Sequence, residues 1–218
     1  GLLRDGNCRG ADRPQRRMMN YRAAAALLAL TVAAIGLPQG GFTTERFDSQ
    51  IEIKQNREVL VTEIIEVTYT QPRRGLLRQI PVSYASQNGS RRSISLDQVA
   101  VRQLVASRLP AWKPNEGDAS QTRVSRVRNE IEIRIGNPSR FLTGRARYTI
   151  SYRVRNALTD FSGDGKSKPR TELLWNSTPF SWATPIAHAK TTIDFPIDPK
   201  VISPALKAWS GERGSTKG

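Results

Sequence analysis

The sequence predicts an all-β protein, an antiparallel β-sandwich of immunoglobulin-like or Greek-key type. Three observations lead to this prediction. From residue 45 onward, apolar and polar residues alternate with a period of two, which is typical of half-buried strands. Turn dipeptides such as Asn88-Gly89 interrupt the alternation at short intervals. Outside an N-terminal apolar segment, no window of twelve residues has a good helical period.

The N-terminal segment has the pattern of an export signal. Residues 1–17 lack hydrophobic periodicity and are predicted to be a non-native or disordered leader. The predicted signal peptide or anchor spans residues 18–36. Arg16, Arg17 and Arg22 precede 13 mostly apolar residues, from Ala23 to Ile35, and 13 is fewer than the ~20 residues of a membrane-spanning helix. This pattern predicts a signal peptide cleaved after Gly36, with an uncleaved N-terminal anchor as the alternative.

The alternation places the strands in order. Residues 45–70 predict a hairpin whose inward residues are interrupted by Glu63, and a change of parity at Asp97-Gln98 predicts a β-bulge. Further strands are predicted at 131–135, 148–154, 173–175 and 193–195, with polar loops at 107–122 and 159–171. The predicted β-sandwich domain spans residues 45–197, and residues 198–218 are predicted to be the start of a further, truncated segment.

Charge and cysteine content restrict the partners. Residues 1–36 carry six Arg and two Asp, so the remainder keeps +11 of the formal +15. Outside the cytoplasm, the anionic partners for such a domain are phospholipid headgroups and wall polymers. Cys8, the single cysteine, lies in the leader, so the predicted domain has neither a disulfide nor thiolate chemistry.

The residues with catalytic or metal-binding potential do not form a recognisable constellation. His188, the only histidine, falls on the outward face of its predicted strand without partners. Asp160 to Gly165 begins like a calcium loop, but Thr171 stands where the final carboxylate belongs. A solvated hairpin loop is the prediction there, and a weak calcium site is the alternative. We predict no catalytic residue, no metal and no cofactor.

Four arginines are candidates for an anionic-surface binding site. Two strands, joined by a connection short enough to pair them, carry these arginines at outward positions. A sheet face with several guanidinium groups and few acids can bind phosphate or carboxylate polymers. An ordinary solvated face is the interpretation that we favour, because every protein surface needs charge. The candidate residues are Arg134, Arg147, Arg153 and Arg155.

Three blocks of sequence resemble the domain of unknown function 2207 family, which comprises predicted bacterial membrane proteins. They run through Arg74–Pro81, through Ile133–Tyr152 and through Glu172–Ile186, and the resemblance covers roughly residues 45–216. Leu77 and Gln79 depart from the family's usual aromatic and acidic residues. The shared residues read as fold determinants: Gly75, Arg78, Pro81, Gly136, Pro138, Thr143, Gly144, Trp175, Asn176, Trp182 and Pro185.

The resemblance implies a membrane-anchored protein with an extracytoplasmic domain and transmembrane helices beyond residue 218. With the export pattern, it predicts an interaction or structural module of the bacterial cell envelope, at the cell membrane, whose partner is an envelope protein or an anionic polymer. One alternative is an envelope enzyme that acts on wall polymers. Another is a nucleic-acid binder, which the charge allows but the export pattern opposes, so nucleic acid is not an expected partner.

Overall fold

A computed structural model describes residues 40–85, 91–106, 118–163, 168–179 and 181–196. These residues contain strands and no helix, which confirms the all-β prediction. The strands are β1 (Phe42–Ile53), β2 (Val59–Arg73), β3 (Leu76–Pro81), β4 (Ser83–Ala85), β5 (Arg91–Ser93), β6 (Ser95–Ala106), β7 (Asp118–Ala119), β8 (Thr122–Val127), β9 (Glu130–Ile135), β10 (Leu142–Arg155), β11 (Leu158–Phe161), β12 (Arg170–Leu173) and β13 (Ala189–Asp194).

The largest sheet has six strands in the order β13-β1-β2-β10-β6-β7. The β1–β2 pair is the hairpin predicted from residues 45–70, with Phe47 opposite Ile65 and Ile51 opposite Val61. Strand β10 pairs with β2 on one side and with β6 on the other, both antiparallel. The two longest strands, β2 and β10, therefore lie side by side at the centre of the sheet.

The edge strand β13 corrects the prediction of a purely antiparallel fold. It pairs with β1 in parallel, with Phe47 opposite Ala189 and Ile51 opposite Ile193. Parallel neighbours need a long connection, and the chain between β1 and β13 includes the whole second sheet. The six-stranded sheet is therefore mixed.

A smaller sheet, in the order β3-β9-β8, is antiparallel throughout. The short connection between β9 and β10 would allow them to pair, but they do not: β9 pairs with β3 and β8, whereas β10 belongs to the larger sheet. Two short hairpins, β4–β5 and β11–β12, complete the described fold. The loop predicted at 159–171 is wrong at its two ends, because residues 159–161 belong to β11 and residues 170–171 to β12. Residues 164–167 of that prediction lie outside the described residues.

One hydrophobic core is shared by the two sheets. The larger sheet contributes one face of β1, β2 and β10, with residues such as Phe47, Ile65 and Tyr148, all fully buried. The smaller sheet contributes the inward residues of β3 and β9, including Ile80 and Ile133. Burial of large aliphatic and aromatic side chains from both sheets is the main source of the free energy that stabilises the fold.

The predicted bulge at Asp97-Gln98 is confirmed. The β6–β10 register shifts between Ser151 and Arg153, and Gln98 has a φ of 53°. The extra residue places Asp97 opposite Arg153, so the bulge aligns a carboxylate with the guanidinium of the neighbouring strand.

Two glycines of the family-like blocks meet where β3 begins and β9 ends. Gly75 has a φ of 133° and Gly136 a φ of 124°, a region that favours glycine. A Cβ at Gly75 would lie 1.8 Å from the carbonyl oxygen of Ile135, and one at Gly136 would lie 2.1 Å from that of Arg74. Glycine is therefore required at both positions for this close backbone approach.

The contacts within the chain divide it into two units, Gly1–Ile35 and Gly36–Gly218. The predicted leader, the signal or anchor segment and residues 198–218 lie outside the described residues. Within the described ranges, no helix is long and apolar enough to cross a membrane.

Candidate functional site

The predicted arginine surface does not exist as one face. Arg134 lies on the smaller sheet, whereas Arg147, Arg153 and Arg155 lie on β10 of the larger one. Arg147 is only 3% exposed and pairs with Glu66 of the adjacent strand, with 2.8 Å between Nη2 and a carboxylate oxygen. A buried guanidinium in an ion pair is not available to a polymer in solution.

Arg153 and Arg155 also have acidic partners. Asp97 accepts hydrogen bonds from both side chains, and Glu58 lies 3.1 Å from Arg153. The hydrogen bond from Arg153, together with the charges of both arginines, lowers the pKa of Asp97 below its ordinary value. These arginines hold β10 to β6 and to the β1–β2 turn. Binding of anionic polymers by the four residues stays a prediction, but this geometry does not favour it.

A closed polar cluster lies in the core between the sheets. Arg78, 1% exposed, donates from Nε and Nη2 to the two carboxylate oxygens of Glu63 at 2.7 and 2.6 Å. Tyr152 donates its hydroxyl to the same carboxylate at 2.7 Å, and Arg78 also donates to the carbonyl of Gln79. Because β3 supplies Arg78 and β2 supplies Glu63, the bidentate pair joins the two sheets.

The tyrosines of the core are held in their neutral form. Burial raises the pKa of Tyr152, and the negative charge of Glu63 raises it further. Tyr69 and Tyr148 share a hydroxyl hydrogen bond of 2.7 Å, and burial raises the pKa of Tyr69 to about 12. Burial acts against the charged form of Arg78, but Glu63 more than compensates, so its pKa is raised as well. The tyrosines therefore stay neutral and Arg78 stays protonated, as the hydrogen bonds that they donate require.

A cleft of about 180 Å³ lies between the β4–β5 and β11–β12 hairpins. Its walls are mainly apolar and aromatic, and Arg92 and Glu172 supply its charges. Leu174 is 63% exposed, and Phe161 is 38% exposed with the guanidinium of Arg170 stacked 4.5 Å from its ring centroid. The lining side chains belong to Tyr84, Arg92, Ile94, Ala157, Thr159, Phe161, Glu172, Leu174 and Trp175.

Hydrogen bonds fix both sides of this cleft. Arg92 donates to the carbonyl of Asn156 at 2.7 Å, and Tyr84 donates to that of Pro81 at 2.8 Å. Asp160, the first residue of the calcium-like stretch, accepts from Arg57 at 2.8 Å and from Thr171 at 2.7 Å. The bond from Thr171, followed by that from Arg57, lowers the pKa of Asp160. Its carboxylate thus joins the β1–β2 turn to the β11–β12 hairpin.

The third family-like block packs two tryptophans against the core. Trp175 lies 6.4 Å from Tyr152 between ring centroids, and Trp182 makes edge contacts with Phe47 and donates to Thr44 Oγ1 at 2.8 Å. Asn176 is half-buried, whereas Pro138, Thr143 and Pro185 are exposed. Trp175 also lines the cleft, whereas Trp182 covers Phe42 and Phe47 in another part of the core.

His188 is exposed, as predicted, and its carbonyl accepts a hydrogen bond from the backbone of Phe47. Across the described residues, no three His, Cys, Asp or Glu side chains come together as a metal site requires.

Sequence reasoning missed the pairing of Glu63 and the cleft. Glu63 occupies an inward position of β2, between Val61 and Ile65. The alternation of apolar and polar residues therefore predicts that its carboxylate is buried and needs a partner. The cleft residues come from four separate segments, and only the topology brings them together.

Comparison with protein families identifies the family of this chain. The family model described as the N-terminal domain of a predicted membrane protein (DUF2207) matches residues 43–217. No curated protein matches the sequence.

Two solved structures with distant similarity illustrate the structural comparison. Leukotriene A4 hydrolase from Saccharomyces cerevisiae is 10% identical with a TM-score of 0.35, over 56% of this chain and 17% of that one. An M1 zinc metallopeptidase from Deinococcus radiodurans is 12% identical with a TM-score of 0.30, over 54% of this chain and 21% of that one. The chain thus spans about a fifth of these structures, and similarity this low carries no argument.

Proposed function

The chain belongs to the family of predicted membrane proteins with the DUF2207 N-terminal domain, and on that premise we propose that it is an extracytoplasmic interaction module of a membrane-anchored envelope protein. The module is a β-sandwich, a proposal supported by the core that the two sheets share. It recognises a polypeptide partner through the cleft between the β4–β5 and β11–β12 hairpins.

Two buried carboxylates are engaged in ion pairs, which supports a binding role over a catalytic one. Glu63 and Glu66 are buried carboxylates, and each is held by an arginine, Arg78 and Arg147 respectively. A general acid or base needs a carboxylate that can reach a substrate. Both of these carboxylates are committed to joining strands.

The shape and lining of the cleft carry the proposal. Its volume of about 180 Å³ is below the roughly 300–1,000 Å³ of small-molecule sites, so it fits a few side chains of a partner better than an enclosed metabolite. Leu174 and Phe161 expose apolar area beside Trp175, and aromatic residues in a partly desolvated recess are the usual anchors of protein interfaces.

A photocrosslinking experiment tests the cleft. We would place p-benzoylphenylalanine at Leu174 or, as the matched control, at Val127, which is 44% exposed on the smaller sheet. The intact protein is irradiated in the membranes of the cells that produce it. We expect a discrete, light-dependent polypeptide adduct from position 174 and not from position 127. Equal adducts from both positions, or none from position 174, would contradict the proposed role of the cleft.

A further inference from the structure

We propose that a second surface, which we call the arginine tip, binds the headgroups of anionic phospholipids. The tip lies where β3 begins and β9 ends, on the outward side of the smaller sheet. It consists of Arg74, Leu77, Arg123, Arg134, Arg140 and Phe141. The inference rests on the proposed membrane-anchored location but uses none of the cleft residues.

The sheet register brings these residues together. Leu77 pairs with Arg134, and Arg134 pairs with Arg123, so the three form one row across β3, β9 and β8. Directly paired residues point to the same side of a sheet, and all three are exposed. The close approach of Gly75 and Gly136 places the turns that carry Arg74 and Arg140 beside this row.

The tip exposes large apolar side chains. Phe141 is 57% exposed and Leu77 is 42% exposed. The guanidinium of Arg74 stacks over the Phe141 ring, 4.8 Å from its centroid, which holds the aromatic ring and the cation together at the surface. Exposed apolar area next to fixed cations is the composition of an interfacial membrane contact.

The charge of the tip is one-sided. Residues 73–81 and 122–142 contain only two acidic residues, Glu130 and Glu132, and eight Arg. One of the eight, Arg78, is buried with Glu63 and adds no charge to this surface. Arg134 lies 3.3 Å from Glu132, but no described carboxylate pairs with Arg74, Arg123 or Arg140. The arginines of β10, in contrast, have acidic partners, so the tip differs from β10 in offering guanidinium groups to an anionic surface.

The apolar residues favour a membrane over a soluble polymer. A polyanion in water would be held by the arginines alone and would gain little from Phe141 or Leu77. At a bilayer surface, the arginines meet the phosphates while the apolar side chains enter the headgroup and acyl boundary, which adds a hydrophobic contribution. The tip offers both kinds of group within one contiguous patch.

Vesicle binding tests the proposal. The 218-residue chain is sedimented with vesicles of phosphatidylcholine alone or of phosphatidylcholine with phosphatidylglycerol, and the triple variant Arg74→Gln/Arg123→Gln/Arg140→Gln is compared with the parent. Each cation near an anionic surface contributes about 1 kcal/mol, so we expect an affinity loss on the order of 100-fold for the anionic vesicles. The loss should shrink as salt screens the surface. Phe141→Ser should lose about tenfold.

A charge-matched control separates the tip from net charge. Arg91, Lys168 and Lys190 are exposed outside the tip, and the triple variant Arg91→Gln/Lys168→Gln/Lys190→Gln removes the same charge. All variants keep the N-terminal apolar segment, and unchanged circular dichroism establishes folding. Equal losses in both triple variants would overturn the proposal, as would full competition by soluble polyphosphate with no effect of Phe141→Ser. Because the vesicle assay does not involve Leu174, its failure is distinct from a failed crosslink at the cleft.

Discussion

The Arg78→Met variant is expected to lose about 3–5 kcal/mol of folding free energy, because it leaves the carboxylate of Glu63 buried without its cation. Glu63 is fully buried in the core, where Arg78 supplies two of its hydrogen bonds and Tyr152 supplies a third. Urea unfolding followed by circular dichroism measures the change. A loss of less than about 1 kcal/mol, the range of an exposed ion pair, would contradict this description of the cluster.

The double variant Glu63→Met/Arg78→Met is the control for this cluster. Replacing both charges with apolar side chains of similar length removes the uncompensated ion, and such replacements in other buried pairs are often neutral or stabilising. We therefore expect the double variant to be more stable than Arg78→Met alone. If the double variant lost as much folding free energy as the two single variants together, the two residues would act independently.

The Gly75→Ala variant is expected to be destabilised by about 3 kcal/mol or more, since it combines an unfavourable φ with a backbone clash. The new Cβ would lie 1.8 Å from the carbonyl oxygen of Ile135, and relieving that contact requires β3 and β9 to move apart. Gly136→Ala should have a comparable effect, because its new Cβ would lie 2.1 Å from the carbonyl oxygen of Arg74. Thermal unfolding measures both variants.

Gly144→Ala is the matched control for the backbone clash. Gly144 also has a positive φ, 76°, but an added Cβ would have no atom within 4 Å. It should therefore cost only the conformational strain, about 1 kcal/mol. Similar losses for Gly144→Ala and Gly75→Ala would show that strain alone matters and that the close approach of the two turns does not.

The longest strands could be predicted from the sequence because alternation reports which side of a strand faces apolar surroundings. It identified the β1–β2 hairpin, β9, β10 and the bulge at Gln98. Alternation does not encode direction or partner. The parallel pairing of β13 with β1, and the assignment of β9 and β10 to different sheets, depend on long-range contacts that no local pattern records.

The arginine prediction shows the same limit at the level of side chains. Alternation placed Arg147 on the polar side of β10, yet that side is covered at its centre and Arg147 is buried. Its partner Glu66 is 81 residues away in sequence. Of the four predicted arginines, Arg134 alone lies in the tip, and exposed cations could be separated from ion-paired ones only after the strand pairing was known.

The location of the domain outside the cytoplasm is the claim on which both the cleft and the tip proposals depend. Thr192 is exposed on the edge strand β13 and belongs to neither the cleft nor the tip. We would introduce Thr192→Cys into the intact membrane protein with Cys8→Ser, and treat spheroplasts with a membrane-impermeant maleimide. The proposed function predicts labelling before lysis, while a cytoplasmic marker protein stays unlabelled. Labelling that appears only after lysis would place the domain in the cytoplasm and contradict the proposed function.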